Sequence, residues 1–189
     1  MATTKFTRHL NPNGSEGGLV ARTARVAASA WIDPEAQVLE FGAVADRARL
    51  EGPVRVAERG VVGGHALVRG RVQVLGHAKV VDHSVVVASA AFPNCEYFCR
   101  EMVVASQVGY QFGRGGEARF HWTAGYSAAG LLLLAVQYFV LNVEEWERVL
   151  SKASPPKTVP EHLHCRREAL LDLVSFVRRS GPRPLFPLG

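Results

Sequence analysis

Cysteine, methionine and tryptophan are scarce in this 189-residue chain, at 3, 2 and 3 residues. The three cysteines, Cys95, Cys99 and Cys165, form no even disulfide framework. That excludes a disulfide-stapled secreted domain and points to a reducing, cytoplasmic setting. The opening stretch, MATTKFTRHLNPNGSEGG, holds no apolar run of the signal-peptide kind, so no secretion signal is expected. Neither sign of charge dominates: 22 Lys and Arg against 17 Asp and Glu leave a net +5. An acidic partner, whether protein, nucleic acid or anionic metabolite, suits such a surface. A solvated surface explains so modest an excess better.

A long hydrophobic run is also missing. Phe120 to Val143 carries no charged side chain, but its densest apolar part, Leu131 to Leu141, is interrupted by Gln137. A membrane span needs about 20 predominantly apolar residues, so none is expected. A buried helix from about Tyr126 to Ser151 is expected instead.

What is present is a repeat. From Val20 every sixth residue is aliphatic: Val20, Val26, Ile32, Val38, Val44, Leu50, Val56, Val62, Val68, Val74, Val80 and Val86. The fifth place of each hexad is small or slim, from Ala24 and Ala30 through Gly42 and Ala48 to Ser84 and Ala90. An amphipathic helix does not keep a period of six, and a lone strand keeps a period of two. A short fixed repeat with one apolar and one small site marks a β-solenoid.

The hexads of 20–91 resemble the left-handed parallel β-helix, or hexapeptide-repeat, family. The phrases VVGGHALVRGRV and VLGHAKV, and Gly52, Gly64, Gly70 and Gly76 two places after the aliphatic residue, resemble a subtype found in bacterial and phage hypothetical proteins. The resemblance implies three hexads per coil, hence about four coils, and a homo-oligomer, dimer or trimer. The expected fold is mainly β: a short left-handed β-helix followed by a small α+β or helical region. Residues 1–19 form a lead-in or cap, 20–91 the repeat, and 92–189 a β-hairpin and two helices. After Ala91 the period reads as ended. Tyr97–Ser106, Val108–Phe112 and Ala118–Thr123 read as strands around a Gly113–Gly116 turn. Residues 154–160 read as a linker, and a last helix runs from about Glu161 to Arg179.

An eighteen-residue coil sorts outward residues into columns. Leu39, Phe41, Val61 and Leu75 read as one face, and Trp31, Leu67, Val81 and Val85 as a second. A third and polar face holds Asp33, Glu35, Gln37, Glu51, Arg55, Arg69, Arg71 and Gln73. Apolar outward columns of this kind ask for a cover. His65 and His83 share a column with Arg47, and His77 takes the same hexad place on another face. Imidazole suits zinc, but a metal site needs three or four converging ligands. Cys95, Cys99, His164 and Cys165 are weak zinc candidates, with His162 beside them.

The resemblance also implies an alternative: an acyltransferase using His65, His77 or His83 as general base near a subunit boundary, with coenzyme A as cofactor. No long loop interrupts the repeat to build an acceptor pocket. Arginines spread over three faces without interleaved aromatics argue against nucleic-acid binding. The reading with most support is a non-enzymatic binding or assembly protein, of the kind a phage would use to inhibit a bacterial host system. Arg47, Arg55, Arg69, Arg71, Trp31 and Leu67 are its candidate partner-binding residues.

Overall fold

The computed structural model describes residues 6–92, 96–98, 102–104, 110–115, 120–127, 129–136, 139–152 and 159–180. The chain divides into two compact units, Met1–Gln107 and Val108–Gly189.

The first unit is a β-solenoid of about four turns. Most hexads contribute a short strand followed by a turn, but residues 67–74 and 85–92 run on as continuous strand through two hexads each. In one column of parallel strands, β2 (Glu16–Ala21), β5 (Gln37–Val38), β8 (Arg55–Val56) and β10 (Leu67–Val74) pair with Val20 opposite Val38, Val38 opposite Val56 and Val56 opposite Val74. A second column stacks β3 (Arg25–Val26), β6 (Ala43–Val44), β9 (Val61–Val62), β11 (Lys79–Val80) and β13 (Tyr97–Phe98). A third stacks β4 (Trp31–Ile32), β7 (Arg49–Glu51), the start of β10, then β12 (Val85–Phe92) and β14 (Met102–Val104).

The aliphatic place points inward throughout. From Ile32 to Val86 these side chains are at most 1% exposed, and each contributes on the order of 1.5–3 kcal/mol of burial. The fifth place lies beneath the turn. At Gly42 and Gly60 a Cβ would come within 2.7 and 2.3 Å of the Val56 and Val74 carbonyl oxygens, so no side chain fits there.

From the fourth hexad on, the residue at the third place is left-handed, whereas the turns at Arg22, Ala28 and Pro34 form without one. Eight successive hexads supply one: Glu40, Asp46, Gly52, Glu58, Gly64, Gly70, Gly76 and Asp82 all have φ between +53° and +97°. Glycine adopts this conformation freely, whereas an L side chain costs about 1–2 kcal/mol. The acidic corners gain something in return. Oε2 of Glu40, Oδ2 of Asp46 and Oε2 of Glu58 accept the backbone N–H of the next coil's corner residue, at 3.0, 2.9 and 2.6 Å. One coil earlier, the Ser29 hydroxyl donates to the Asp46 carbonyl at 2.5 Å, and Thr23 donates likewise to Glu40.

Two sequence expectations for this unit need correction. The repeat does not end at Ala91. Phe92, Phe98 and Val104 continue the inward place at 0% exposure, and Glu96 and Met102 continue the fifth place, also buried. Phe92 and Phe98 rings sit 4.8 Å apart. The outward faces are also divided differently. Turns fall at the third and fourth places, so the residues flanking one aliphatic place share a face. Asp33 therefore belongs with Trp31, whereas Gln37 belongs with Leu39.

The lead-in closes part of the first coil. β1 (Phe6–Leu10) pairs antiparallel with β2. Buried Asn11 then meets β4 with its side-chain amide: Oδ1 accepts from the Ile32 N–H at 2.8 Å, and Nδ2 donates to the Ile32 carbonyl at 3.1 Å. The amide thus stands in for the peptide group of a missing neighbouring strand.

The second unit is an antiparallel meander of β15 (Tyr110–Gly115), β16 (Phe120–Ser127), β17 (Leu132–Val136) and β18 (Phe139–Asn142). Helices α1 (Val143–Leu150), α2 (Glu161–His164) and α3 (Arg167–Ser180) follow. The helix expected from Tyr126 is thus four segments: the end of a strand, two further strands, and a helix starting only at Val143. Asn142 marks that start. Its side chain accepts the Glu145 N–H at 2.7 Å, while Glu145 accepts the Asn142 N–H at 3.1 Å, a capping box. Gly113–Gly115, expected in a turn, lie within β15. The last helix is broken after one turn at Cys165. The core gathers Trp122, Leu134, Trp146, Leu163, Leu170 and Val174, with the Trp146 indole N–H donating to the Leu134 carbonyl at 2.8 Å. The stretch expected as a linker contains buried Val159; residues 153–158 and the tail 181–189 lie outside the described residues.

Candidate interaction surface

The stacked strands β4, β7, β10 and β12 place Trp31, Arg49, Leu67 and Val85 in one outward column, each opposite the next. The neighbouring column holds Asp33, Glu51, Arg69 and Val87. Strand stacking at about 4.8 Å makes these columns straight and stiff. The Arg49 guanidinium lies 5.4 Å from the centre of the Trp31 ring, within cation–π range. The same Arg49 reaches Oε1 of Glu51 at 3.1 Å. Arg69 holds the other Glu51 oxygen, with Nε at 2.7 Å. One carboxylate therefore joins two arginines from adjacent coils. Exposed ion pairs add about 0–1 kcal/mol to stability, so their effect here is to fix side-chain directions. Trp31, Leu67 and Val85 remain half-exposed, and Val87 is 37% exposed.

Of the candidate partner-binding residues, the structure brings together Trp31, Leu67 and Arg69. It does not bring in Arg47, which stands on a corner above Ser29. Arg55 lies between Gln37 and Gln73 on a different strand column. Arg71 lies in β10 beyond Gly70, where that strand runs on without a turn. The sequence reading missed Glu51 as the connector. Its signal was the eighteen-residue step from Glu51 to Arg69.

The histidines fall on two corners. His65 and His83 are exposed and stacked, ring centres 5.0 Å apart and planes 13° from parallel. The His65 backbone N–H donates to the Asp82 carbonyl at 2.6 Å. His77 stands on the other corner, beside an open groove of about 390 Å³ that it lines with Phe41, Arg59, Glu40 and Glu58. Phe41 is 66% exposed. Cys95 and Cys99 lie outside the described residues, as does the side chain of His164. Cys165 is an exposed free thiol. Among the described residues no three His, Cys, Asp or Glu side chains converge as a metal site would require. Among the same residues no helix is long and apolar enough to cross a membrane.

No protein-family model, curated protein or solved structure matches the chain.

Proposed function

We propose that this chain is a binding or assembly protein without catalytic activity, which uses its solenoid as a rigid scaffold to engage a partner protein. One observation carries the reading: the Trp31–Arg49–Leu67 column, with Arg69 clamped beside it through Glu51. Tryptophan and arginine are the residue types most enriched among interface hot spots, and aliphatic neighbours exclude water around them. Side chains already held in place lose less freedom when a partner docks.

The finer features belong to the same proposal. The coil is left-handed, of hexapeptide-repeat type, and the protein forms a dimer or trimer in the cytoplasm. Its partner belongs to a bacterial host system that a phage-type inhibitor would block. Native mass spectrometry of the protein expressed in bacteria tests the reading. A metal-free oligomer retaining a stoichiometric host protein is expected. Trp31→Ala with Arg49→Ala should release that protein without changing the subunit count. A trimer carrying zinc or coenzyme A would overturn the reading in favour of acyl transfer by His65, His77 or His83.

A further inference from the structure

The first coil of the solenoid has no preceding coil, so each of its three strands presents unpaired backbone groups. In a parallel ladder the N–H and C=O of one residue point to the same side. The Arg25 and Ala27 N–H groups donate to Gly42 and Val44 of the second coil, at 3.0 and 2.8 Å. Val26, between them, therefore turns its N–H and C=O away from the solenoid. Its counterparts are covered: Val20 pairs with Thr7 of β1, and Ile32 is met by Asn11. Among the described residues β3 pairs with β6 alone, and nothing meets Val26.

The surroundings of this open edge combine apolar side chains with the basic residues Arg8, His9 and Arg22. A cavity of about 560 Å³ lies there, lined among others by Leu10, Val20, Ala24 and Val26. Val20 and Val26 are the two inward aliphatic residues of the repeat that stay half-exposed. Leu10 is 64% exposed and Phe6 48%. Arg22 lines the cavity and Arg25 stands exposed in β3 beside Val26, and neither has a carboxylate partner among the described residues. Arg8 is held by the Gly17 and Pro34 carbonyls at 3.1 and 3.0 Å.

We propose that this end is a docking site for an extended segment of a partner protein that alternates apolar and acidic residues. The segment adds a strand to β3, as in other β-augmentation complexes. Its central peptide groups bond Val26 as Asn11 bonds Ile32. Its apolar side chains enter the cavity over Val20 and Ala24, and its outward acidic side chains meet Arg22 and Arg25. A second copy of this chain is the poorer occupant, because its own Arg22 and Arg25 would face these. The inference does not depend on the Trp31 face.

The test uses the full chain and a fluorescein-labelled, end-blocked heptapeptide of alternating glutamate and valine, followed by fluorescence anisotropy. Saturable binding is expected. Arg22→Glu with Arg25→Glu should weaken it at least tenfold and create binding of the corresponding lysine–valine peptide, while Arg22→Lys with Arg25→Lys should retain it. N-methylation of the two inner valines should also weaken binding at least tenfold. Unchanged circular dichroism spectra exclude misfolding of these surface variants. Absence of saturable binding overturns the proposal, as does indifference to charge reversal or to N-methylation. A concentration-dependent dimer in sedimentation that Arg22→Gln with Arg25→Gln strengthens would assign the edge to a second copy and equally overturn it.

Discussion

Replacing Asn11 by alanine should open the first coil and leave the rest of the solenoid closed. Asn11 is 2% exposed and Ile32 is 0% exposed, so the two hydrogen bonds between them, at 2.8 and 3.1 Å, are shielded from water. Alanine leaves one N–H and one C=O of Ile32 without partners. Each buried orphan costs about 1–3 kcal/mol. Some of this is recovered because the coil stands at the end of the stack, where water can enter. A local cost of about 2–4 kcal/mol follows. At 1.4 kcal/mol per decade that is about 30- to 1,000-fold faster exchange of the protected first-coil amides. Hydrogen exchange followed by mass spectrometry on peptides spanning Arg25 to Pro34 measures this directly. Asn11→Asp supplies the control. Aspartate still accepts from the Ile32 N–H but cannot donate to its carbonyl, so it should recover at most part of the protection. Protection within threefold of wild type in Asn11→Ala would refute the view that this amide replaces a strand.

Two further predictions concern corners and core. Gly64 and Gly52 both adopt positive φ, +68° and +76°, but a Cβ at Gly64 would lie 2.8 Å from the Asp82 backbone, whereas at Gly52 the nearest atom is 3.8 Å away. Gly52→Ala should then cost about 1–2 kcal/mol for its conformation alone. Gly64→Ala should cost clearly more, and denaturant titration of the two variants would show equal losses if the close contact were irrelevant. In the second unit, Trp146→Phe removes a fully buried indole and its 2.8 Å bond to the Leu134 carbonyl. A loss of about 1–3 kcal/mol is expected from the lost indole hydrogen bond and the lost volume. Hydrogen exchange in the Leu132–Val136 strand should rise with it.

Much of the first unit is legible because its inward place is occupied by one residue class at one spacing. That legibility fails where the residue class changes. Phe92, Phe98, Glu96 and Met102 keep the register but not the composition, so a reader of aliphatic and small residues stops at Ala91 although the coil goes on. The corners behave similarly. Gly52, Gly64, Gly70 and Gly76 advertise a left-handed turn, whereas Glu40, Asp46, Glu58 and Asp82 adopt the same conformation under a polar disguise. In the second unit the run Leu131–Leu141 has neither helical nor alternating periodicity, and a short apolar run of this kind does not by itself separate strand from helix. Asn142 followed three residues later by Glu145 was the usable signal, since that pair marks where the helix begins. The Trp31 column was half legible: the step of eighteen finds Trp31, Arg49 and Leu67, but the link through Glu51 needs side-chain directions. Asn11 could not be found by any spacing, because its partner lies 21 residues away in a different kind of element.

The ladder of corner contacts links residues 18 apart, from Glu40 to Glu58 and from Glu58 to Gly76. Every outward and inward column keeps the same step. The solenoid can therefore change length in only one increment. Removing or duplicating eighteen residues leaves each side chain above its former neighbour. Removing six rotates all that follows onto the next strand column, which would part Arg69 from Glu51 and His83 from His65. The length of this unit is in that sense a whole number, and its surface can be lengthened without being redrawn.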